Sequence, residues 1–238
     1  MVITRKSQIK PILKDCFSIY SEDDIESFIT HFDSSILQVR VKFPLLEYCA
    51  QDLYSHIPIE QQLLFCRKIG ALRREGGNVI IGKIIQLRLD EHLEESLNEA
   101  VFHIASGEEW YVSDIIGERV FGVGLLQQPE ICISFLNKLK DHPSNWVVRS
   151  IGSGTHYAIK KGLSYQHANS MFQILLDLSN TKDYQIKRGI GWAAKTTAKF
   201  HPEIIYNSSN QLEGDSTIGQ WFKTKIKIGL ARHSYAQL

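Results

Sequence analysis

Apolar positions recur along this chain at intervals of three and four residues, the period of a helix with one buried face. Leu45, Leu46, Cys49, Leu53 and Tyr54 keep that spacing behind Pro44, whose fixed φ and missing N–H suit the first turn of a helix. After Pro58, Leu63, Leu64, Cys66, Ile69 and Leu72 supply a second apolar face. Ser21, followed by Asp24 and Ile25, has the chemistry of a helix N-terminus. Gly76-Gly77, Gly107, Pro129, Pro143, Gly162 and Pro202 punctuate the remainder. The segments between these stops run to about 10 to 18 residues, the length of ordinary globular helices. Strict apolar–polar alternation is not sustained over a strand length. Residues 207–216 (NSSNQLEGDS) read as a polar loop. The pattern predicts about twelve helices and no substantial sheet.

Consecutive helices joined by short turns, without one long central apolar helix, fit an all-α superhelix, or solenoid, of stacked helix pairs. The pairs average about 40 residues, the HEAT and armadillo period. A solenoid offers a concave face to a rod-like ligand, so a single domain over 1–238 with such a groove is the expected organisation. At 238 residues the chain buries enough surface to need neither metal nor disulfide. Cys16, Cys49, Cys66 and Cys132 are scattered, with no CxxC pair, and read as small buried hydrophobes in a reducing compartment. The first residues, MVITRKSQIKPILKD, lack the apolar run of a signal peptide, and no stretch is apolar enough to span a bilayer. A cytoplasmic protein is expected.

Charge changes this picture. The net charge is only +1, yet residues 1–120 hold 13 Lys/Arg against 19 Asp/Glu, whereas residues 121–238 hold 14 against 7. A basic half suits a polyanionic partner; it is also what uneven solvated helix faces produce. Three local patterns bear on that choice. Trp110 and Asp114 are four apart, on one helix face, where an indole beside a carboxylate can hold a cation. The plainer reading is a packed tryptophan with Asp114 paired to Arg119 or another arginine. Asn145-Trp146-Val-Val-Arg149 follows Pro143, and Arg149 is either a phosphate clamp or half of a structural salt bridge. Lys187-Arg188-Gly189-Ile-Gly191-Trp192-Ala-Ala-Lys195, continuing to Lys199, interleaves basic and aromatic residues as nucleic-acid binders do. Its GxG follows a polar helical segment rather than a buried strand, which excludes a phosphate loop; the small residues instead allow close helix approach beside an exposed indole. The last segment, Ile218 to Arg232, carries Trp221, Lys223, Lys225, Lys227 and Arg232. There is no GxSxG, no HExxH and no histidine cluster at metal spacing, so neither metal nor cofactor is expected.

Taken in order, W-x3-D at Trp110/Asp114, the residues ending at Arg149, and Ile190-Gly-Trp-Ala193 resemble the AlkD-type DNA alkylation repair proteins. The likeness is recognisable from about residue 108 to 205. The family consists of HEAT-like solenoids that grip duplex DNA in a basic groove and hydrolyse the N-glycosidic bond of cationic alkylated purines such as 3-methyladenine and 7-methylguanine. The resemblance makes Asp114 the catalytic carboxylate, with Trp110 and Trp192 as aromatic walls. Arg149 would hold the DNA backbone, joined by Lys160, Lys161, Lys187, Arg188, Lys195 and Lys199. It implies duplex DNA containing alkylated bases as the partner, no base flipping, and a monomer. Two departures stand out: Ser150 follows Arg149 where many relatives carry a second arginine, and no residue clearly matches the family's N-terminal aromatic contact, for which Tyr20 is a candidate. Two other functions remain open, a non-enzymatic binder of damaged or branched DNA and a HEAT-type protein scaffold.

Overall fold

A computed structural model of the chain describes residues 2–21 and 24–236, which are almost entirely helical. The only sheet among them pairs two-residue strands, Val2–Ile3 and Arg40–Val41, in parallel. The contacts divide the chain into two compact units, residues 1–103 and 104–238.

The first unit contains α1 (Lys6–Ile19), α2 (Ile25–Phe32), α3 (Phe43–His56), α4 (Ile59–Ala71) and α5 (Glu75–Leu87). Helices α1, α3 and α5 follow one another in contact, with α2 against α4 beside them. The N-cap of α2 is Asp24, whose carboxylate accepts from Ser27 N at 3.1 Å; Ser21 lies outside the helix. Gly76 and Gly77 do not stop a helix; they sit in the first turn of α5, where Gly76 lies against Leu46. The apolar face of α4 is rotated from the predicted one. Leu64 is exposed, and Gln62, Phe65, Cys66 and Ile69 point inward at the helical interval. Gln62 is tolerated there because Nε2 donates to the carbonyls of Tyr54 and Ile57 while Oε1 accepts from Arg88, so both polar atoms of its side chain are satisfied. All four cysteines are buried and unpaired.

Glu99 is the charged centre of this unit. Arg67 grips it with Nε and Nη2 at 2.9 and 2.7 Å, and His103 Nε2 lies 3.3 Å away. Burial alone pushes its carboxyl up, but the hydrogen bonds and charges of His103 and Arg67 outweigh it and hold the group at about 2, below the ordinary 4.5. A depressed folded pKa stabilises above the unfolded value, and that stability drains away as pH falls from about 4.5 towards about 2. In acid titrations followed by circular dichroism, the stability gap between the native protein and Arg67→Met should therefore narrow over this window. A gap that stays constant would show that Arg67 does not set the Glu99 ionisation.

Helix α6 (Leu93–Gly107) leads into the second unit. There, α7 (Trp110–Ile116) continues through a π turn at Gly117–Phe121 into α8 (Gly122–Gln127). After it come α9 (Pro129–Lys138), α10 (Asn145–Lys160), α11 (Tyr165–Asp177), α12 (Tyr184–Phe200), α13 (Pro202–Asn207), α14 (Ser209–Gly214) and α15 (Gln220–Leu230). Two layers result. The α7–α8 run, α10, α12 and α15 lie each against the next, while α9, α11 and α13 form the second row. The helices of the first layer begin at 110, 145, 184 and 220, the rhythm of a two-helix repeat. The segment 207–216 is not a loop: α14 crosses it, anchored by buried Leu212.

The first layer is tightest between α10 and α12. A Cβ on Gly152 would fall under 3.0 Å from the Gly189 backbone, and one on Gly189 would meet the Arg149 carbonyl. The two backbones therefore touch directly, as the small residues around Trp192 foretold. Asp183 starts α12 by accepting from Ile186 N at 2.9 Å and also receives Asn145 Nδ2 at 2.9 Å, which ties the first turns of both helices together.

Candidate functional site

One cleft on the first layer gathers most of the residues singled out by sequence. Its left-handed backbone at Glu108 (φ 52°) separates α6 from α7 and makes Trp110 the first residue of the new helix. A side chain at that position projects beyond the packed turns, and the indole is 55% exposed. Asp114 sits one turn later on the same face. Beyond it the backbone widens into the π turn, which brings Gly117 against Ser150 and Ser153 of α10.

Arg149 meets Asp114 across that contact. Its Nε donates to Oδ1 at 3.0 Å and its Nη2 to Oδ2 at 2.7 Å, a two-pronged pair, while Nη1 donates to Gln185 Oε1 at 3.2 Å. Arg149 is 6% exposed. Three of its five N–H groups are thus committed, and the guanidinium holds both carboxylate oxygens in a fixed plane. Ser150, fully buried, donates to the Val147 carbonyl at 2.6 Å and faces Gly117, so there is no room for a second arginine beside the first.

From α12, Trp192 also lines the cleft, and Arg188 and Lys195 add positive charge. Helix α15 supplies Lys225, which packs over Gly191. The cleft has a volume of about 370 Å³ and is lined by a single carboxylate among four cations. Asp114, Arg149 and Arg188 are each the fifth residue of their helix, so the repeat places them in register along one face.

Behind Trp192 lies a second cavity of about 220 Å³, lined by Lys160, Lys195, Lys199 and Arg232 with no acidic residue. Its inner surface is His156, stacked on Trp192 with ring centroids 3.9 Å apart. Thr196 donates its hydroxyl to the Trp192 carbonyl at 3.0 Å, so His156 must donate from Nδ1 to Thr196 Oγ1, 2.6 Å away. Burial pushes the imidazole down to about 3, and the charges of Lys160 and Lys195 push the same way. His156 is therefore neutral at ordinary pH, a flat support that fixes the plane of the indole.

Of the predicted set, the first cleft unites Trp110, Asp114, Arg149, Arg188, Trp192 and Lys195, and the second adds Lys160 and Lys199. Lys161 and Lys187 line neither; their ammonium groups lie over Tyr157 and Trp221 at 5.8 and 6.0 Å. Tyr20 packs edge-on against Phe28 in the first unit and donates its hydroxyl to Gln61. Sequence reasoning assigned no role to His156, Gln185, Lys225 or Arg232. His156 stands two turns after Arg149 on α10, so a helical interval was the available signal there; Arg232 lies just past the end of α15, which carries Lys225.

A family model described as DNA alkylation repair enzyme matches residues 21–207. The chain belongs to that family. Its place among the DNA alkylation repair enzymes gives the cleft a context, the repair of alkylated DNA, and the matched span holds Trp110, Asp114, Arg149 and Trp192 while ending before α15. Lys225 and Arg232 are thus contributions to this repair enzyme's cavities from outside the matched region. No curated protein and no solved structure matches the chain. No helix among the described residues is long and apolar enough to cross a membrane.

Proposed function

We propose that the cleft releases cationic N3- and N7-alkylated purines, 3-methyladenine and 7-methylguanine among them, from duplex DNA by hydrolysis of the N-glycosidic bond. The observation that carries this reading is a single carboxylate, clamped by Arg149, in a cleft that it shares with two indoles and four cations. Alkylation makes the base a cationic leaving group, so little acid catalysis is required. As the bond breaks, positive charge moves onto the deoxyribose, and a carboxylate already in place stabilises it without reorganisation. The clamp occupies one lone pair on each Asp114 oxygen, leaving the others for the sugar and the attacking water. A fixed charge of this kind is worth roughly 3–4 kcal/mol, and each indole facing the cationic nucleotide about 1–2 kcal/mol. Arg188 and Lys225 are the groups for the flanking phosphates, with Lys160, Lys199 and Arg232 further along the duplex.

Release of free 3-methyladenine and 7-methylguanine from methylated duplex DNA, separated by liquid chromatography, tests the proposal. Steady release above the spontaneous rate supports it. Salt-dependent binding to duplex without release, with a slope of about 0.9 per neutralised phosphate, would leave a DNA binder and remove the chemistry. Arg149→Lys separates positioning from charge: an ammonium keeps the sign but not the two-pronged grip. Release should slow about tenfold in single-turnover measurements, equivalent to about 1.4 kcal/mol. An unchanged rate would show that the fixed plane of Asp114 is immaterial.

A further inference from the structure

Lys195 occupies an unusual place. It stands three residues after Trp192 and lines both cavities, on the wall the indole shares. Its half-buried ammonium has no carboxylate partner among the described residues. Burial pushes the amine below its ordinary range, and the charges of Arg232, Lys225 and Arg188, all cations, push the same way. A lysine desolvated beside other cations is the setting in which an amine becomes a nucleophile for carbonyl carbon. Lys160 and Lys199 line only the second cavity, away from Asp114.

We propose that Lys195 gives this cleft a second activity, cleavage of the DNA strand at abasic sites by β-elimination through a Schiff base. The inference rests on the glycosylase reading for the supply of its substrate, since base release leaves an abasic deoxyribose whose ring-opened form carries an aldehyde at C1′. Unprotonated Lys195 Nζ adds to C1′, and the aldehyde oxygen, taking one proton from the amine and one from solvent, departs as water, leaving an iminium ion. That cation acidifies C2′. The Asp114 carboxylate takes the C2′ proton, and the C2′–H electron pair forms the C2′–C3′ double bond. The C3′–O bond breaks, and the phosphate leaves with its electron pair. Water then hydrolyses the iminium, regenerating the amine and the unsaturated aldehyde, and the proton taken up on iminium formation returns to solvent together with the one held by Asp114. The products are a 3′ end bearing an unsaturated aldehyde and a 5′ phosphate. No oxidant, reductant or metal enters the balance.

The test uses the full chain and a duplex already made abasic by removing uracil from a single deoxyuridine, so it does not depend on excision by this protein. Sodium borohydride reduces the Schiff base to a stable adduct, read on a denaturing gel, and peptide mass mapping then locates it. The expected result is an adduct on Lys195 and strand cleavage above the spontaneous rate, both falling at least about tenfold in Lys195→Arg. Lys227→Arg, an exposed position outside both cavities, should trap as the native protein does. Absence of adduct, or an adduct mapped to another amine, overturns the proposal. Base release from methylated DNA together with no trapping on abasic DNA would overturn the lyase alone. Trapping without base release would overturn the glycosylase reading alone.

Discussion

Asp114→Asn should slow base release by roughly 10²–10³-fold while duplex DNA is bound as tightly as before or slightly more so, a loss of about 2.7–4 kcal/mol of transition-state stabilisation. The substitution is nearly isosteric, so the shape of the cleft survives. What disappears is the one negative charge among Arg149, Arg188, Lys195 and Lys225. The amide also turns one prong of the Arg149 pair into a meeting of donors, which leaves that guanidinium less neutralised and the cleft more positive. Catalysis and affinity should therefore move in different directions. Single-turnover release and fluorescence anisotropy on the same duplex measure the two separately. Release within about twofold of the native rate would remove Asp114 from the chemistry, since a group stabilising the charged sugar must cost more than that.

The second large effect is structural. Gly152→Ala places a methyl group under 3.0 Å from the Gly189 backbone, where no side chain can swing aside. Helices α10 and α12 must separate, at a cost of roughly 3 kcal/mol or somewhat more for an overpacked core. For a chain of this size that lowers the melting temperature by about 6–12 °C. The damage extends to the cleft, because the same approach sets the Arg149 to Gln185 hydrogen bond and the His156–Trp192 stack. Gly214→Ala is the control, as nothing lies within 4 Å of its added Cβ. Equal melting of the two variants in differential scanning calorimetry would show that α10 and α12 can separate at no cost.

Much of this was legible from spacing alone. The helical interval revealed the helices, the proline at position 44 marked a true start, and the small residues before Trp192 announced a close crossing. Trp110 and Asp114 were readable as a pair because one helix carries both. The Asp114–Arg149 pair was open between a phosphate clamp and a salt bridge, since its partners are 35 residues apart and only repeat stacking brings them together. Period was visible; register was not. The α4 face differs from the one its sequence suggests because Leu63 and Leu64 outweigh a glutamine on any apolar scale, whereas the buried Gln62 is held by three hydrogen bonds that no scale records. His156 was indistinguishable from eight other single histidines until the contact between α10 and α12 set it behind the indole.

The register of Asp114, Arg149 and Arg188 along successive helices has a consequence for how such a protein diversifies. Each repeat contributes one position to the same row, and its outer helix can drift without disturbing that row. New specificities can therefore arise one wall at a time, through point changes in a single repeat, while the neighbouring repeats keep the ancestral chemistry in place.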